Sequence, residues 1–410
     1  MARRWVSVLI LLFFCLHAWG QKNYDDLAGL YHPYQMGKGG FAKAPRGYKP
    51  FYISHIGRHG SRYPVSESYV GYGLVPLNKA DSAGLLTPEG RRVLQEFRRL
   101  DSVSRGTYGL ICALGADEQQ AIARRMATRF PQVFRQKGRD SVACFSTHKQ
   151  RAILSMTNFA AALAPYAPGL HFSFAAGEKY FDILCREDRA APGLKTGSRL
   201  ADKALKERFD YQAFYDRLFT DVSLARKVCI KSDRVMTETC VTNGSVANYL
   251  GISGIRTTMT PDEFAVAASV YGAKQYVQHC GSAEQGEWRM HIMDTLVLDF
   301  VRRADAAVAG GRVAADLRFS HDVGMMPFLS LIGLEGYHER LTFAQVLDGA
   351  WDPSVMMPMA ANLQLVFYRG RKGDVLVRVL FDEADSSFPA LGPGPFYPWD
   401  TLRDYLLSVI

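Results

Sequence analysis

Two periods of apolar and polar residues alternate along this chain, and each change of period marks a change of element. Phe51-Tyr52-Ile53-Ser54-His55-Ile56 is apolar and aromatic enough for a buried strand. Val142-Ala143-Cys144-Phe145-Ser146-Thr147 and Val313-Ala314-Ala315-Asp316-Leu317-Arg318-Phe319 repeat that pattern. Near the end, apolar runs over 360–368 and Val375–Phe381 flank Arg369-Gly370-Arg371-Lys372-Gly373, which predicts a hairpin with a solvated basic turn. Elsewhere the period lengthens to that of a helix. Thr87-Pro88-Glu89 reads as an N-cap with proline in the first turn, ahead of Val93, Leu94, Phe97 and Leu100 at helical spacing. Helices are also expected over 117–130, from Arg151 through Phe159, over 288–308 and over 326–332.

The stretch 185–285 changes character. It is rich in charged and aromatic residues and reads as helices over Tyr211–Leu218, 237–250 and 261–278, with loops at Pro192-Gly193 and Gly251 to Gly254. Strands alternating with helices on either side predict an α/β fold: a mainly parallel sheet flanked by helices, plus a smaller α-helical lobe. The expected division is a leader over 1–20, an α/β part over 21–184, the lobe over 185–285 and a second α/β part over 286–410.

The leader carries Arg3 and Arg4, then an apolar run from Val6 to Leu16, then Ala18-Trp19-Gly20 as a small-x-small cleavage site. The run is short for a bilayer span, and the bulky Phe13 and Phe14 before Cys15 argue against lipid anchoring there. Export to the periplasm or medium, without stable membrane insertion, is the expectation. Removing the leader changes a net charge of +9 to +7, because it takes two arginines and no acids. A modest positive excess suits an anionic substrate. The absence of a basic run interleaved with aromatics disfavours nucleic acid. Oligomeric state is not legible.

Cys112, Cys144, Cys185, Cys229, Cys240 and Cys280 remain after Cys15. An even count in an exported chain allows three disulfides, and Cys229 and Cys240 are near enough in sequence to close a small loop. Buried free thiols are the alternative. No CxxC spacing suggests zinc, and His279 and His291 lack further ligands at suitable spacing, so both read as core or surface histidines. Asn243-Gly244-Ser245 is a glycosylation sequon.

The chemistry concentrates at Arg58-His59-Gly60-Ser61-Arg62-Tyr63-Pro64, directly after the first strand. Gly57 and Gly60 are expected to break the strand and let the backbone approach a ligand. Two guanidiniums there could clamp a tetrahedral phosphate through charge-assisted hydrogen bonds. Their charge would keep His59 neutral and nucleophilic. The second strand leads into a helix carrying Arg151 on its first turns, where the dipole favours an anion. The third ends at Ser320-His321-Asp322-Val323-Gly324, a second strand-to-helix junction suited to a catalytic pair.

Arg58 to Pro64 matches the RHGxRxP signature of the histidine acid phosphatases, which include the phytases. Ser146-Thr147 followed by Arg151 resembles that family's second phosphate-binding segment, and His321-Asp322 its HD pair. The resemblance spans about residues 50 to 380. It implies His59 as the nucleophile, Asp322 as the proton donor, and Arg58, Arg62, Arg151 and His321 as phosphate ligands, with no metal or organic cofactor. Two stretches resemble the multiple inositol polyphosphate phosphatase group: Glu178-Lys179-Tyr180-Phe181-Asp182, expected as an entry strand to the lobe, and Met359-Ala360-Ala361-Asn362. That group typically carries HAE where this chain has His321-Asp322. The implied activity is phosphate release from inositol polyphosphates. A broad acid or sugar-phosphate phosphatase is the enzymatic alternative, and a non-catalytic phosphate-binding protein the alternative of another class.

Overall fold

The computed structural model describes residues 24–186 and 192–410; the expected leader and Cys15 lie outside them. Strands β1 (Lys49–Arg58), β2 (Ser141–Ser146), β3 (His171–Ala176), β4 (Val313–Ser320), β5 (Asn362–Arg369), β6 (Val375–Phe381) and β7 (Ala384–Asp385) make one sheet in the order β3-β2-β4-β1-β5-β6-β7. A short β8 (Phe396–Pro398) pairs with β6. The strands β3, β2, β4 and β1 are mutually parallel, and the hairpin β5–β6 continues the sheet antiparallel from β1. β1, β2 and β4 are buried almost throughout, as parallel strands covered on both faces must be.

The first half supplies helices α1 (Glu67–Ser82), α2 (Pro88–Ser104), α3 (Ala113–Arg129), α4 (Pro131–Arg135) and α5 (Gln150–Leu163). Thr87 caps α2 as its sequence predicts, its hydroxyl accepting the Gly90 N–H at 3.0 Å. Met126, Phe134, Met156 and Phe159, from α3, α4 and α5, pack with Ile53, Cys144 and Leu317 on one face of the sheet. Helices α6 (Glu178–Leu184), α7 (Pro192–Arg208), α8 (Tyr211–Leu218), α9 (Val222–Val228), α10 (Asp233–Tyr249) and α11 (Pro261–His279) follow. Pro192, expected in a loop, opens α7, where its missing N–H costs nothing. The strand expected around 178–182 is the helix α6.

The helix expected over 288–308 is two: α12 (Trp288–His291) and α13 (Asp294–Val308). Between them Met293 turns fully into the core, and Asp294 begins the second helix, where a carboxylate favours the dipole. α13 and α14 (Asp322–Leu331) cover the other face, with Phe300, Val301 and Met325 in a cluster with Tyr52, Phe145 and Phe367.

Among the described residues, none of the disulfides allowed by the cysteine count is present. Cys112, Cys144, Cys229, Cys240 and Cys280 are free and buried, and Cys185 is buried as well. Cys229 satisfies its thiol within α9, donating to the Ala225 carbonyl at 3.1 Å, while Cys240 lies inside α10. The sequon is equally internal: Asn243 is 3% exposed and its amide donates to the Tyr69 carbonyl at 2.9 Å. Among the described residues, no helix is long and apolar enough to cross a membrane.

Candidate active site

Three parallel strands end side by side. Arg58 of β1 is in register with Ser320 of β4, and Ser146 of β2 with Phe319. Their carboxyl ends therefore deliver Arg58-His59, His321-Asp322 and Thr147 to one place, with Arg151 following on α5. Every site residue expected from the sequence is brought together here.

The clamp is dry. Arg58, His59 and His321 are at most 2% exposed, and Arg62 is 5% exposed. Arg58 Nη1 donates to the Leu30 and Met357 carbonyls at 2.6 and 2.7 Å, and Nη2 donates to Asp322 Oδ2 at 2.8 Å. The Nε–H groups of Arg58, Arg62 and Arg151 are buried without a hydrogen-bond partner, as is His321 Nδ1. Unpaired donors of this kind are costly unless an anion takes them up.

His59 Nδ1 donates to the Gly60 carbonyl at 2.9 Å, because a carbonyl can only accept. That fixes the neutral tautomer with the lone pair on Nε2. Burial, then Arg151, His321, Arg58 and Arg62, push the pKa of His59 well below that of free histidine. His321 is pushed down in the same way, first by burial and then by Arg151. Its Nε2 lies 2.9 Å from Thr147 Oγ1, and the two imidazoles have centroids 5.4 Å apart. Thr147 Oγ1 also accepts the Lys149 N–H at 3.4 Å. Burial and Arg62 lower Arg151 to about 10, so it stays charged at neutral pH.

Asp322 is the first residue of α14, whose N-cap is His321. Burial raises its carboxyl, but Arg58 and Arg62 outweigh that and hold it at about 2. The raised pKa a proton donor needs is therefore absent from the free protein.

Gly57 does not break the strand; it lies inside β1, extended, with the His55 ring 3.0 Å from where a Cβ would stand. Gly60 is approached by protein, not left open for ligand. A Cβ there would stand 2.3 Å from the Gly115 carbonyl of α3. Sequence reasoning missed the groups that hold this loop. Glu118 Oε2 accepts the Ser61 N–H at 2.7 Å, and Oε1 accepts the Ser61 hydroxyl at 2.8 Å and the Tyr34 N–H at 2.9 Å. Gln119 donates to the Arg58 carbonyl at 2.9 Å. The Met359-Ala360-Ala361-Asn362 stretch pins the loop from the other side, with Ala360 N donating to His59 O and Arg58 N to Ala361 O. Ala360 takes φ 58°, a left-handed conformation that this double contact sustains. Glu118 and Gln119 carried a faint signal, being polar residues on the apolar face of a predicted helix.

No family model and no curated protein matches the sequence. Solved structures do. A multiple inositol polyphosphate phosphatase from Bifidobacterium longum, in complex with inositol hexasulfate, superposes with a TM-score of 0.79 at 19% identity, over 93% of this chain and 97% of that one. A phytase from D. castellii gives 0.71 at 14% identity, over 95% and 86%. A phytase from Hafnia alvei gives 0.53 at 12%, over 90% and 98%. The chain has the histidine acid phosphatase fold.

In this histidine acid phosphatase fold the mouth of the clamp is walled by α6 and the turn before α5. The Phe181 ring lies 4.9 Å from that of His148 and 6.5 Å from that of His321, centroid to centroid. Lys149 Nζ stands 5.5 Å from the Phe181 centroid. Across the cleft, Arg62 packs its guanidinium 5.4 Å from the Tyr31 ring.

Proposed function

We propose that the chain is an exported histidine acid phosphatase that releases phosphate from inositol polyphosphates, phytate included, through a phosphohistidine. The observation that carries this is the locked, neutral His59, with its Nε2 lone pair free inside a cluster of three arginines and its ring 5.4 Å from that of His321, whose next residue is Asp322. A protein that only bound phosphate would gain nothing from a desolvated nucleophile and an adjacent carboxyl.

The reaction would run in two displacements. His59 Nε2 attacks phosphorus, the P–O bond to the alcohol breaks, and the leaving oxygen takes a proton from Asp322. Arg58, Arg62, Arg151 and His321 stabilise the equatorial oxygens. Water then attacks phosphorus and gives a proton to Asp322, while the P–N bond breaks to free His59 and phosphate. Asp322 must be protonated for the first step. A bound polyanion supplies the means, because it draws off the field of Arg58 and Arg62 that holds the carboxyl near 2. Residues 185–285 would form the lobe that covers the substrate. The leader over 1–20 would direct export.

Phosphate release from inositol hexakisphosphate and from p-nitrophenyl phosphate, with EDTA present and beside His59→Ala, tests this reading. His59-dependent release that favours the inositol substrate is the expected result. Preference for the small ester would make it a general acid phosphatase. Tight phosphate binding without release would make it a binder.

A further inference from the structure

The turn between β2 and α5 runs outward from the clamp one residue at a time. Thr147 contacts His321, His148 faces Phe181, and Lys149 lies over the same ring. Phe181 is thus a shared wall between the innermost phosphate donor and two groups at the mouth. The centroid distances put Lys149 Nζ within about 12 Å of the His321 ring, inside the span of a phosphorylated six-membered ring. Among the described residues Lys149 is half-buried and has no carboxylate partner; the nearby Glu178, itself exposed, contacts His148 instead. A half-buried ammonium facing an aromatic ring is only partly compensated by the cation–π contact. α6, which the sequence marks out and the chemistry at His59 does not use, brings the ring there.

We propose that Lys149, held against Phe181, binds a second phosphate of the substrate molecule whose first phosphate sits on His59. The cleft then selects small rings carrying at least two phosphates. This rests on the phosphatase reading above and goes further, by naming the residue that makes the substrate class polyphosphorylated.

The test uses p-nitrophenyl phosphate turnover as the readout and two inhibitors, inositol hexasulfate and inorganic phosphate. In Lys149→Met, which keeps the stem and loses the charge, the inhibition constant for inositol hexasulfate should rise about tenfold or more. That for inorganic phosphate should change by less than about threefold. Lys149→Arg should restore most of the difference, which a merely structural role would not predict. A parallel rise for both inhibitors, or none for inositol hexasulfate, overturns the proposal. Failure of the wild type to release phosphate from inositol hexakisphosphate, with Lys149-dependent inhibition intact, would instead remove the substrate assignment and leave the subsite standing. Loss of all turnover in Lys149→Met is resolved by direct calorimetric titration of both anions, read against the same criteria.

Discussion

Each residue of the clamp is set by burial and by its neighbours' charges, and each therefore makes a separable prediction. His59→Ala removes the nucleophile and should lower turnover at least about a thousandfold while thermal unfolding stays cooperative. Asp322→Asn should cost more on an alkyl phosphate than on p-nitrophenyl phosphate, because p-nitrophenolate departs without a proton; kcat on the two esters decides it. A loss equal on both would deny Asp322 the role of acid. Asp322 also carries a pH signature. Its folded pKa of about 2 lies below the ordinary carboxylate value, so its ion pair with Arg58 stabilises the fold above pH ~4 and that contribution is lost as pH falls toward 2. Denaturant unfolding of Asp322→Asn should show a shallower decline of stability across that window.

At the scale of elements, the site depends on close approaches that only particular residues permit. Gly60→Ala would drive a methyl group into the Gly115 carbonyl, and Gly115→Ala would place one 2.0 Å from the Ser61 carbonyl. Either should lower both stability and activity, by about 1–3 kcal/mol in denaturant unfolding. Glu118→Gln keeps the shape but turns an amide toward donors that need an acceptor, and should cost about 1–3 kcal/mol. Elements were legible where a local pattern sufficed: the motif at 58–64, the strand ends and the Thr87 cap all depend on neighbours in sequence. Gly57 and Gly60 have another job than the sequence suggests: the His55 ring on the same strand crowds Gly57, and the Gly115 carbonyl of α3, over fifty residues away, crowds Gly60. The stretch 178–182 was taken for a strand because seven residues with Tyr180 and Phe181 are too few to separate the two periods. Glu118 could not be assigned, since its partners Ser61 and Tyr34 lie in two other segments.

Among the described residues, the molecule is held by its packed sheet and not by cross-links. All six described cysteines are buried thiols, and burial raises Cys144 and Cys240 to about 12. They should react with a thiol reagent only on unfolding, and reductant should leave the unfolding midpoint unchanged; a lower midpoint under reductant would reveal a disulfide. A buried ion network joins the layers instead. Arg318, fully buried on β4, donates to Asp299 of α13 at 2.9 Å and lies 4.0 Å from the Phe300 ring. Asp299→Ala strands that guanidinium and should destabilise by about 3–5 kcal/mol, read by the same unfolding curves. The parallel order of β2, β4 and β1 was foreseen only as a class, because strand order follows from crossovers that no local pattern records. It is this order that puts His59, Asp322 and Arg151 at one edge. The central claim is that His59 becomes covalently phosphorylated there. Rapid quenching into base during turnover of inositol hexakisphosphate, followed by peptide mass spectrometry, measures this directly. One phosphoryl group on the peptide bearing His59, absent in His59→Ala, is the predicted result. Sustained turnover with His59 unmodified at every quench time would contradict the account.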